Sequence, residues 1–138
     1  MCIRDRSIII KIIGPYPPCI RCHRILRNLK ALKAKMEIPF EIKHLYAGDV
    51  EAEKYGKIVE AEIFAEKMGI DLDYRELFKK RDLKAIDEAL APYVEMAKKK
   101  GILLTPVVII NDKIKTMGRV VSKNELEELI REEVKLNG

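Results

Sequence analysis

The stretch Ile8-Ile9-Ile10-Lys11-Ile12-Ile13-Gly14-Pro15-Tyr16-Pro17-Pro18-Cys19-Ile20-Arg21-Cys22-His23 decides how this chain is read. Ser7–Ile13 is apolar on both faces apart from Lys11, the pattern of a buried parallel strand. Gly14–Pro18 forms the loop after it, with Pro17 and Pro18 presetting the entry to a helix. That helix runs from Cys19 to about Lys35, because Ile25, Leu26, Leu29 and Leu32 follow helical spacing. Its first turn offers unpaired backbone N–H groups and the positive end of the helix dipole. Both favour a thiolate over a thiol at Cys19, and thiolates are the species that exchange disulfides.

Outward from this stretch, Glu37–Tyr46 alternates as a second strand, closed by Ala47-Gly48-Asp49. From Asp49 to Gly101 the pattern predicts helix after helix. Tyr55, Val59 and Ile63 share one helical face, and Met68-Gly69-Ile70 marks a stop. Asp73–Arg81 is a short helix, and Asp82–Lys100 a longer one, broken or kinked near Pro92. Thr105–Ile110 is strongly β-branched. Asn111-Asp112 tolerates the positive φ of a two-residue hairpin, so Lys113 to about Val120 is an antiparallel partner. Ser122 and Glu125 have the spacing of a capping box and open a last helix that sends Leu126, Leu129, Ile130 and Val134 to the core. The resulting order is β-α-β, helical segment, β-β-α. A four-stranded mixed α/β sheet with helices on both faces accommodates every segment.

The chain has 138 residues, 48% of them hydrophobic, enough for one domain with its own core. No apolar run approaches the ~20 residues of a membrane-spanning helix. Net charge is +5 with a pI near 9.1. Residues 7–35 carry seven Lys or Arg and no acid, whereas residues 50–100 carry 11 basic and 12 acidic side chains. The basic excess therefore surrounds the cysteine helix. Residues 1–6 are read as a sequencing-adapter scar that sets Cys2 aside, which leaves residues 7–138 as the domain and about 49–100 as a helical insertion. The expected compartment is the cytoplasm; an incomplete N-terminus leaves a secreted form open. One remaining Cys pair is no disulfide framework, so it is read as a redox or ligand pair.

The strand leading into Cys19-Ile20-Arg21-Cys22, then Thr105-Pro106-Val107-Val108-Ile109-Ile110-Asn111, then Gly118-Arg119-Val120-Val121-Ser122 resemble the thioredoxin superfamily. Within it the chain is similar to the small glutaredoxin-like redox proteins of archaea and anaerobic bacteria. The resemblance implies a thioredoxin-like fold and thiol–disulfide oxidoreductase activity, with Cys19 as nucleophile and Cys22 resolving the mixed disulfide. It also implies that Pro106 is a cis proline facing the pair and that Thr105 beside it contacts the substrate backbone. Tyr16, Pro18 and Arg21 join the expected substrate-binding set. The chain departs from the family in its long Pro-Tyr-Pro-Pro loop, its roughly fifty-residue insertion, and Lys11 in a strand where thioredoxins keep a buried acid.

Several residues carry a plainer reading beside the sharper one. Arg21 stands to stabilise a Cys19 thiolate, while Arg24, Arg27 and Lys30 continue its strip as a solvated face. Lys11 is expected at the strand end with its head in water, or else near the thiols as a tuning charge. His23 is a second candidate for thiol tuning, though such a residue more often faces solvent; His44 is taken as structural. Cys19-Ile20-Arg21-Cys22-His23 also spells a haem-attachment motif, disfavoured because it caps a strand-to-helix turn. No metal ligand set within one chain and no cofactor are expected. The expected partners are dithiol or disulfide proteins, an acidic one being the middle option, with no nucleic acid and no membrane. The rival reading is a thioredoxin-like carrier of a soft metal or metalloid on Cys19 and Cys22. A third, glutathione-linked transfer, rests only on the size of the insertion.

Overall fold

A computed structural model of the chain describes residues 8–15, 20–70, 76 and 79–137. Its elements in chain order are β1 (Ile8–Gly14), α1 (Ile20–Lys35), β2 (Phe40–Tyr46), α2 (Val50–Glu53), β3 (Lys57–Val59), α3 (Ala61–Lys67), α4 (Leu83–Lys100), β4 (Ile102–Leu104), β5 (Val107–Ile110), β6 (Lys113–Met117) and α5 (Lys123–Asn137). The main sheet has the order β2-β1-β5-β6. β1 lies parallel to β2 and antiparallel to β5, and β5 is antiparallel to β6. This is the mixed four-stranded sheet of a thioredoxin-like α/β fold. No helix among the described residues is long and apolar enough to cross a membrane.

The two-residue period of a strand divides the core in two. Ile8, Ile10 and Ile12 of β1, with Val108 and Ile110 of β5, face Ile25, Leu29 and Leu32 of α1 and Leu126 and Ile130 of α5. Ile13, Val107 and Ile109 face the other way, against Phe64 of α3 and Ile86, Leu90 and Val94 of α4. All four residues of β5 are therefore fully buried, and burying each such aliphatic side chain contributes about 1.5–3 kcal/mol. Asn111 and Asp112 make the expected hairpin with φ of 48° and 66°. The Asn111 side-chain oxygen and backbone N–H also bind back to the Ile9 backbone.

The insertion differs from the all-helical expectation. A second, two-stranded parallel sheet joins β3 to β4. Gly56, at φ 138°, separates Tyr55 from Val59, so these two do not share a helical face with Ile63. The β-branched Ile58 and Val59 instead pair with Leu103 and Leu104. Helix α4 runs unbroken through Pro92 and ends at Gly101 in the left-handed region, φ 72°. The Met68-Gly69 stop holds, with the Ile70 N–H bonded to the Ala65 carbonyl. Asp73–Arg81 lies mostly outside the described residues.

Two details of α5 also changed. The Ser122 hydroxyl accepts from the Glu125 N–H, 3.2 Å, so half of the capping box forms. The Glu125 carboxylate turns instead to Arg119, which holds it below its ordinary value. Glu133, not Val134, points inward and meets Lys113 and Lys115 at 3.2 and 3.4 Å. The inward line 126, 130, 133 follows helical spacing, and position 134 has already turned off it.

Candidate functional site

The C-terminal end of β1 and the first turns of α1 meet at Cys22. Its side chain is fully buried. A Cβ built on Gly14 would overlap the Cys22 sulfur. Glycine is thus required at the strand end because the thiol occupies the volume any side chain would fill. Gly14 also ends the parallel pairing of β1 with β2, and its carbonyl accepts from the Ala47 N–H at 2.9 Å. Cys19, Tyr16, Pro17 and Pro18, named above for the nucleophile and its approach, lie outside the described residues.

Arg21 corrects an expectation. It is not part of an exposed strip, being fully buried while Arg24, Arg27 and Lys30 are exposed. Its guanidinium donates to the Gly118 carbonyl at 2.7 Å, to Asp87 Oδ1 at 3.1 Å and to the Thr105 carbonyl at 3.3 Å; Glu62 lies 3.8 Å away. Helical spacing put Arg21 on the outer strip; the carbonyls and acids of the distant loops and the insertion draw it inward. The planar fork of arginine spans these acceptors on separate elements at once. Its charge is matched by Asp87 and Glu62. Burial pushes the Asp87 carboxyl up, against the lowering pull of the Val120 N–H, 2.9 Å from Oδ2, and of Arg21.

The Thr105–Pro106 peptide bond is cis. Thr105 is almost fully buried, and its polar groups are engaged within the chain. Its N–H donates to the Val59 carbonyl at 3.2 Å, its hydroxyl accepts from the Ala61 N–H at 3.2 Å, and its carbonyl takes Arg21. Pro106 is buried too, and its carbonyl accepts from the Gly118 N–H. Two of these bonds go to the insertion, at Val59 and Ala61, and one to α1. Gly118 sits at φ 72°, and a Cβ there would overlap Val94. This glycine lets the loop after β6 close on both Arg21 and Pro106.

Lys11 is likewise reassigned. It is not a solvated strand end, its side chain being 13% exposed. Its ammonium donates to the Tyr55 hydroxyl at 2.7 Å and pairs with Glu51 at 3.3 Å and Asp112 at 3.5 Å. Asp112 lies in the β5–β6 turn, at the opposite end of β5 from Thr105. Tyr55, which in turn donates to Asp112, holds the Lys11 ammonium well above its ordinary value.

His23 is exposed on α1 and, with Arg24, Arg27 and Arg81, lines a groove of about 330 Å³. His44 was read as structural, yet its Nε2 lies 3.5 Å from the same Gly14 Cβ position that the Cys22 sulfur overlaps. Its ring packs on Tyr46, centroids 4.7 Å apart. A signal for it existed: positions 40, 42, 44 and 46 share a face, and β2 parallel to β1 carries that face to the Gly14 end. Among the described residues there is no cluster of three or more His, Cys, Asp or Glu side chains suited to a metal ion.

Residues 73–131 match the family model of a thioredoxin domain, a span that takes in α4, the Thr105-Pro106 turn, the β5–β6 hairpin and most of α5. No curated protein and no solved structure gives a match. The match spans less than half of the chain, residues 73–131 of 138; together with the sheet order β2-β1-β5-β6 it is consistent with a thioredoxin-like fold.

Proposed function

We propose that the chain is a thiol–disulfide oxidoreductase working through Cys19 and Cys22. The observation that carries this reading is the seat of Cys22, whose sulfur lies at the end of the central strand, in the first turns of a sixteen-residue helix, on a floor kept clear by Gly14. The helix opens with no acidic side chain in its first turn, so nothing offsets the dipole that favours a thiolate there. In the reaction, the Cys19 thiolate attacks a partner disulfide and forms a mixed disulfide; the partner's other sulfur leaves with the electron pair. Cys22 then displaces the bound partner, closing the Cys19–Cys22 disulfide and leaving the partner dithiol reduced. The reverse sequence oxidises a partner. The groove formed by His23, Arg24, Arg27 and Arg81 suits an acidic segment of that partner.

Cys22→Ser is expected to accumulate mixed disulfides with partner proteins, visible on non-reducing gels, while Cys19→Ser is not. Equal trapping by both variants would overturn the roles. Stoichiometric soft metal on the reduced protein, with no disulfide reduction, would overturn the reading in favour of a carrier.

A further inference from the structure

We propose that His44 is the proton acceptor for the Cys22 thiol. The proposal rests on the oxidoreductase reading and deepens it. A thiol shut away from water cannot hand its proton directly to solvent and needs a base within reach before its sulfur can attack. Cys22 is fully buried. Its sulfur and His44 Nε2 border one small volume, the place where Gly14 lacks a side chain. That Nε2 is itself closed to water and has no hydrogen-bond partner among the described residues. A buried ring nitrogen without a partner is costly unless a proton or a donor comes to it, and the neighbouring thiol is such a donor.

Position and charge agree with this role. His44 stands on β2 opposite Ile12 of β1, and the stacked Tyr46 ring fixes its plane. Among the described residues, the groups facing it are Ile12 and Gly14 from β1, Cys22 and His23 from α1, and Tyr46 from its own strand. No carboxylate is among them. Burial first, and the charge of His23 second, hold the imidazole below its ordinary value, so it is neutral and able to accept at physiological pH. Arg21 and Lys11, the two buried cations of the chain's N-terminal part, are committed elsewhere.

In the resolving step the Cys22 proton passes to His44 Nε2 and the Cys22 sulfur bonds to the Cys19 sulfur. The bond between Cys19 and the partner breaks, the partner leaves as a thiolate with the electron pair, and the imidazolium releases its proton to solvent. When a Cys19–Cys22 disulfide is opened, the imidazolium returns the proton to Cys22.

Two titrations test this without requiring redox activity. In a Cys2→Ser, Cys19→Ser background, the ultraviolet absorbance of the thiolate reports Cys22 alone. His44→Gln is expected to shift that titration; an unchanged curve overturns the proposal. Should His44→Gln unfold, the native imidazole is followed by NMR with and without Cys22→Ser. A displaced His44 midpoint supports the proposal, and an identical midpoint overturns it. In turnover, His44→Gln is expected to slow disulfide reduction near neutral pH on the order of 10²-fold while Cys19 alkylation keeps its rate. Coupled titrations in a protein that reduces no disulfide would leave the proton transfer standing and overturn the oxidoreductase reading instead.

Discussion

The two ends of β5 each hold a lysine or arginine from the N-terminal part of the chain, and they hold it differently. At the Thr105 end, Arg21 is sealed from water and bound to two loop carbonyls and an aspartate. At the Asp112 end, Lys11 keeps 13% of its side chain exposed and joins a surface chain of Tyr55, Glu51 and Asp112, the last 77% exposed. Both tie the insertion to the main sheet. The difference lies in what happens to the partners when the cation is taken away. Glu51 and Asp112 can return to water, whereas the carbonyls of Thr105 and Gly118 and half of Asp87 cannot. The contribution of a buried cation is therefore set by its partners' access to solvent more than by the number of its contacts.

The sharpest way to break this comparison is Arg21→Ala. It removes the donors of Asp87 Oδ1 and of the Gly118 and Thr105 carbonyls and is expected to cost about 3–5 kcal/mol in denaturant unfolding, the range for removing one member of a buried pair. A loss under about 1 kcal/mol would mean that water reaches this cluster. Lys11→Met keeps the apolar stem and the Tyr55–Asp112 bond, and its expected cost is at most about 1 kcal/mol by the same measurement. A loss as large as that of Arg21→Ala would erase the distinction between the two ends. The smallest effect is in the pH dependence. Lys11 has its folded pKa raised above the ordinary 10.5, and Tyr55 has its own raised above 10.0. A raised folded pKa gives stability that is complete below the unfolded value and lost as pH climbs through the folded one. The advantage of the native protein over Lys11→Met should thus be constant up to about pH 10 and narrow above it. A gap that closes instead below pH 7 would assign the effect to another group.

The main sheet was legible because its signals are local. The isoleucine run of β1, the Val107–Ile110 run and the Asn111-Asp112 turn each name their own structure. The two-stranded sheet was not, since β3 and β4 are three residues each and acquire meaning only when paired across 45 positions. At the site, Cys22 could be read from spacing, and the Thr105–Pro106 loop from resemblance. Arg21 misled because a helical period assigns a face without saying what opposes it. Its partners, Asp87, Thr105 and Gly118, come from three separate elements. His44 carried a legible strand position, but its meaning depends on the Cys22 sulfur seated over Gly14, a contact between distant elements that no local pattern announces.

The order of the strands also has a consequence for synthesis. β1 is an inner strand of the sheet, and the backbone of Ile9 bonds to Asn111, 102 positions later. Until β5 leaves the ribosome, the edge of β1 that it will pair stands open, although β2, α1 and the helices of the insertion precede it. Such long-range closure is slow and leaves apolar strands exposed to other chains. The insertion lengthens that interval by its own translation time, so the segment that braces the finished site also prolongs the nascent chain's need for a chaperone.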